Sequence, residues 1–83
     1  DRIFTVSVLL PDRPGQLVNV AQMIAEQNGN VIRLDHNQFV TANRNAAVEL
    51  RLTIEAFGPA HKERIVRALE VAGLSPRLIQ AHL

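Results

Sequence analysis

The sequence predicts an α+β domain, a four-stranded antiparallel sheet covered on one face by two helices. Three observations carry that prediction. The hydrophobic period switches between strand-like alternation and helical spacing in the order βαββαβ. All 4 glycines and all 4 prolines fall at or near the ends of those stretches. Eighty-three residues, 47% of them hydrophobic, supply one small packed core and are too apolar for a disordered segment.

Residues 2–10 alternate, with Phe4, Val6 and Val8 on one face and Thr5 and Ser7 on the other. That is a strand with one buried face, ended by Pro11. From 14 to 28 the spacing is helical. Leu17, Val20, Ala21, Ile24 and Ala25 form one stripe, and Asn19, Gln22 and Glu26 oppose them. Gly29 is the expected left-handed stop. Residues 30–39 form a second strand with Ile32 and Leu34 inward, followed by a polar turn at 41–45. In the third strand Val48, Leu50, Leu52 and Ile54 alternate with Glu49, Arg51, Thr53 and Glu55. Gly58 and Pro59 break it. A second helix spans 59–72, with Ile65, Leu69 and Ala72 inward, and stops at Gly73. The last strand, about 74–80, contains Pro76 and therefore belongs at an edge. Right-handed crossovers then give a ferredoxin-like fold with strand order 4-1-3-2.

Two helices leave one sheet face bare. It would carry Thr5, Ser7, Arg33, Asp35, Glu49, Arg51, Thr53, Glu55 and Arg77, a polar set of mixed sign that can pair across strands. Open edges at strands two and four call for protection or pairing, so a homodimer or larger assembly is expected. Val18 and Met23, off the main stripe of the first helix, are candidates for that contact.

Composition excludes several functions. Nine basic and 8 acidic residues are interspersed, for a net charge of +1, which offers no basic track for a phosphate backbone. The open face has no central aromatics for base stacking, so the RNA-recognition use of this scaffold is disfavoured. There is no cysteine, hence no disulfide framework or thiolate metal site, and the three histidines lack metal-ligand spacing. No stretch is long and apolar enough for a membrane span. Asp35 and His36 are strand neighbours and point to opposite faces, so they do not form an acid–base pair, and His36 reads as a tucked or rim histidine held by a hydrogen bond. Lys62 reads as a solvated charge, and no nucleophile, base and orienting group converge. The chain is read as a non-catalytic single domain, 1–83, cut from a longer cytoplasmic protein.

One loop stands out. Asp12, Arg13, Pro14, Gly15, Gln16 and Leu17 join a strand to a helix start, where backbone N–H groups and the positive dipole end meet an anion. Gly15 lets a ligand approach closely, and Asp12 sits beside it. A carboxylate-binding feature next to an ammonium-binding one suits a free amino acid. The blander reading has Asp12 cap the helix while Pro14 and Gly15 set the turn.

The run Leu10-Pro11-Asp12-Arg13-Pro14-Gly15-Gln16-Leu17, followed by Asn28-Gly29-Asn30-Val31, resembles an ACT domain across essentially the whole chain. Ile32-Arg33-Leu34-Asp35-His36 and the strand Val48 to Glu55, leading to Gly58-Pro59-Ala60-His61, resemble the C-terminal regulatory domain of short pyridoxal-phosphate-dependent threonine dehydratases. The resemblance implies an amino-acid effector held between two copies. Leu10, Asp12, Arg13, Pro14, Gly15, Gln16 and Leu17 of one copy would face Asn30 and Val31 of the other. In that implied site Asp12 takes the ammonium group and the N–H groups of Gly15, Gln16 and Leu17 take the carboxylate. Leu10, Leu17 and Val31 line an apolar slot, which implies isoleucine or valine. Pyridoxal phosphate would belong to the parent's catalytic domain, and no cofactor is expected in this fragment. The alternative is a ligand-free module that only dimerises.

Overall fold

The computed structural model describes residues 2–11, 13–40 and 46–79. The elements are β1 (Ile3–Pro11), α1 (Gln16–Glu26), β2 (Asn30–Val40), β3 (Ala46–Glu55), α2 (Pro59–Val71) and β4 (Arg77–Ile79). They form one antiparallel sheet in the order β2-β3-β1-β4, the expected ferredoxin-like arrangement read from its other edge. The predicted turn at 41–45 lies outside the described residues, as do Asp12 and the end of the predicted last strand.

Alternation in the strands produces the core. Phe4, Val6, Val8 and Leu10 of β1 and Val48, Leu50, Leu52 and Ile54 of β3 are buried, and Val20, Ile24, Ile65 and Leu69 meet them from the helices. Opposite them the bare face is laced as anticipated. Ser7 Oγ donates to Glu49 Oε2 at 2.7 Å, the Arg51 Nε–H donates to the same oxygen at 3.2 Å, and the hydroxyls of Thr5 and Thr53 bond at 3.0 Å. Arg33 and Asp35 pair at 3.3 Å on the exposed outer strand.

Several local expectations are corrected. α1 starts at Gln16, not at 14, because Gly15 is its N-cap in the left-handed region (φ 85), with no side-chain capping bond. At the other end of α1 the left-handed residue is Asn28 (φ 63), and Gly29 serves a different need. A Cβ there would lie 2.7 Å from Ile24 Cγ2 and 2.9 Å from Ile65 Cδ1, so Gly29 lets the chain pass between two core side chains. Within α1 the buried positions are Val20 and Ile24. Ala25 is exposed, and Met23 packs on the core rather than facing away. Ala72 of the second predicted stripe is exposed past the end of α2.

In β2 the register slips between Val31 and Arg33. Ile32 is the extra residue of this bulge and is 48% exposed, while Val31 takes the inward place beside Leu34. Among the described residues β4 starts at Arg77 rather than at 74 and pairs Arg77–Ile79 with Thr5–Ser7, and Pro76 sits just before it at the edge.

Candidate functional site

Register places the predicted site residues at opposite ends of the sheet. At one end Ile3 pairs with Glu55, which pairs with Asn30. At the other, Leu10 pairs with Val48, and the chain turns through Arg13, Pro14 and Gly15 into α1. β1 runs from Ile3 to Pro11 between them, roughly 25 Å at about 3.3 Å per residue. Within one chain, therefore, Leu10, Arg13, Pro14, Gly15, Gln16 and Leu17 are gathered and Asn30 and Val31 are not.

Tight backbone bonding shapes the loop. The Arg13 N–H donates to the Pro11 carbonyl at 2.9 Å, and the Asn19 N–H donates to the Gly15 carbonyl at 3.0 Å as the first bond of the helix. The Gln16 N–H, one of the three amides expected to meet a carboxylate, donates to the Arg13 carbonyl at 3.4 Å, a long bond. Pro14 and Gly15 are exposed, Gln16 is half-buried and Leu17 is 39% exposed.

Beneath the loop lies a cleft of about 50 Å³. The loop and helix start supply Pro11, Arg13, Gln16 and Leu17, and the sheet floor supplies Leu10, Val48, Leu50 and His36. Ordinary ligand pockets begin near ~300 Å³. One domain thus offers a foothold for part of a small molecule and no enclosure for all of it. Val31, expected in the apolar slot, packs toward the core instead, and Ile32 is the apolar side chain that its strand leaves exposed.

Sequence reasoning left two groups of residues out. His36 reaches the cleft because its register partner is Leu50, on the core-facing side of the sheet. Its shared parity with Leu34 was the available signal. At the far end a second cleft of about 160 Å³ brings Arg2, Asn28 and Phe57 beside Asn30 and Glu55, where the Asn30 amide donates to Glu55 Oε1 at 3.4 Å. Those residues are distant in sequence, and only the sheet register joins them. A wider groove of about 770 Å³ runs between α2 and β4, but none of its charged side chains is buried.

Among the described residues no acidic or histidine cluster could hold a metal ion, and no helix is long and apolar enough to cross a membrane.

Comparison with known protein families and with curated proteins finds no match. Solved structures do match. A formyltetrahydrofolate deformylase from Pseudomonas putida aligns with TM-score 0.59 at 17% identity, over 95% of this chain and 29% of that one. The deformylases from Burkholderia mallei and Pseudomonas syringae each align with TM-score 0.62, at 15% and 18% identity, over 93% of this chain and 26% of theirs. The chain spans between a quarter and a third of the length of these enzymes. At such identities the likeness shows the fold alone, a ferredoxin-type arrangement that occupies part of each of these longer chains.

Proposed function

We propose that this chain is a regulatory domain of a metabolic enzyme and that it senses a small amino acid between two paired copies. One observation carries the reading. The loop cleft and Asn30 sit at opposite ends of a sheet whose outer strand, β2, has 11 residues and, among the described residues, pairs only with β3. An unpaired edge of that length is a template for another strand. Antiparallel pairing of two β2 edges brings the start of one strand level with the end of the other. Asn30 of each copy then arrives at the loop end of its twin, since the end of β2 lies at the same end of the sheet as the end of β1 that carries the loop. Ile32 on that strand and Val18 on α1 add exposed apolar surface. The small cleft of each copy would be closed by the other.

In this reading Asp12 and Asn30 hold the ammonium group, the amides at the start of α1 meet the carboxylate, and Leu10 and Leu17 receive the side chain. An aliphatic effector, isoleucine or valine, follows from that apolar lining. The deformylase likeness supports the module within a longer enzyme, whereas a threonine dehydratase parent rests on the sequence segments alone. The effector acts by binding one arrangement of the pair better than another, with a coupling of ~1–3 kcal/mol to the linked catalytic site. The narrowness of the cleft and the engaged Gln16 amide favour a second reading, a module that pairs without a ligand.

Calorimetric titration of the chain with isoleucine, valine, threonine and serine, beside sedimentation analysis, tests the proposal. Binding heat that Asp12→Ala and Asn30→Ala abolish in an intact dimer is the expected result. A stable dimer silent toward all four amino acids establishes the assembly-only reading.

A further inference from the structure

We infer that His36 is a ligand-contacting residue of the loop cleft and that its imidazole donates a hydrogen bond to the effector's carboxylate. This rests on the proposed sensing function and adds a residue that neither the loop pattern nor the resemblance assigns to the site.

The argument begins with position. Along the core-facing side of β2, Val31 and Leu34 pack on the hydrophobic core, and His36 follows at the next inward place, opposite Leu50. A polar ring at an inward position breaks the rule the strand otherwise follows, and such breaks concentrate at functional sites. Its register partner Leu50 is fully buried, so His36 stands at the rim of the core. His36 is exposed, and it lines the cleft under the Gly15 loop.

Chemistry then narrows the role. Among the described residues three polar side chains line this cleft: Arg13, Gln16 and His36. Arg13 and Gln16 belong to the loop and the first residue of α1. His36 alone stands on a strand, and groups on strands are held more firmly than groups on loops. None of the three is an acid, and two of them, the guanidinium of Arg13 and an imidazole, recognise carboxylates well. A cleft of about 50 Å³ holds only part of an amino acid beside these groups, so the second copy must enclose the rest.

The test compares each of the four amino acids with its carboxamide, in the unaltered chain and in His36→Ala and His36→Gln. Sedimentation and thermal melts confirm that each variant is folded and paired. His36→Ala is expected to weaken the amino acid by at least about tenfold and the carboxamide by much less, so that discrimination between them shrinks. His36→Gln, which keeps an N–H donor, is expected to recover most of that loss. If the unaltered chain binds one of the four and His36→Ala binds it equally well, the role of His36 is refuted while the sensing function stands. Equal weakening of acid and carboxamide overturns the carboxylate contact. Silence of the unaltered chain toward all four refutes the sensing function, and the role of His36 with it.

Discussion

His61 is joined to Gln27 across the two helices. The ring is 4% exposed, and its Nε2–H donates to the Gln27 carbonyl oxygen at 2.5 Å, just past the end of α1. The tautomer follows from the other nitrogen, because the Phe57 N–H donates to Nδ1 at 2.9 Å and leaves the proton on Nε2. Phe57 also stacks on the ring, with centroids 5.1 Å apart. One imidazole thus satisfies a carbonyl at the end of α1 and an amide before α2. His61→Ala strips both partners and opens a hole, and is expected to cost about 2–4 kcal/mol in chemical denaturation. A loss below about 1 kcal/mol would show that water replaces the ring.

Two glycines are expected to respond differently to alanine. Gly29→Ala drives a methyl against Ile24 and Ile65, both fully buried and unable to swing away, and the cost of such overpacking is about 1–3 kcal/mol. Gly15→Ala meets no atom within 4 Å and suffers only its positive φ, at about 1 kcal/mol. Thermal melts of the two variants should rank Gly29→Ala as the less stable. The opposite order would mean that the loop, not the crossing of the two helices, is the tighter constraint.

Glu49 predicts the acid behaviour. The hydrogen bond from Ser7, with help from Arg51, holds its carboxyl below the usual carboxylate range, against a smaller opposing effect of burial. A carboxylate whose pKa is lowered by folding stabilises the fold fully above its unfolded value, and that contribution disappears as pH falls through the lowered one. Urea midpoints measured from pH 7 down to pH 3 should decline, and Glu49→Gln should flatten part of the decline. Because Glu49 is partly solvated, the effect will be modest and will shrink with added salt. An unchanged slope in Glu49→Gln would assign the acid sensitivity to other carboxylates.

Pairing through β2 can be tested at the bulge. Ile32 contributes little to its own core at 48% exposure, so Ile32→Asp should alter the stability of the monomer by no more than about 0.5 kcal/mol. The same change sets two carboxylates into a β2–β2 interface and should shift sedimentation to the monomer. A dimer that survives Ile32→Asp and loses its pairing with Val71→Asp, on the far flank of α2, would move the interface away from β2.

Legibility in the sequence follows the range of the forces involved. The buried face of each central strand was readable because Val48 to Ile54 and Phe4 to Val8 alternate so strictly that a slip of one residue would expose a whole face. The loop was readable because Pro14 and Gly15 carry local conformational signals. What escaped depends on distant neighbours. Gly29 reads as an ordinary helix stop until Ile65 arrives beside it. The bulge at Ile32 is invisible because Val31 and Ile32 are equally apolar, so either satisfies the pattern. His61 looks like a surface residue in a first helical turn until the Gln27 carbonyl, 34 residues away, comes into range. The corner of Arg2, Glu55 and Phe57 exists only through register.

The brevity of β4 among the described residues has a consequence for the loop at Gly15. Over Thr5–Ser7, β1 is laced on both sides, but over Val8–Pro11 only β3 holds it among the described residues. Amide exchange should therefore quicken along β1 toward its final turn, like a seam stitched at one end. The strand that bears the loop can yield there without loosening the central rows of the sheet. A molecule arriving at Gly15 would then meet a bend already free to settle around it.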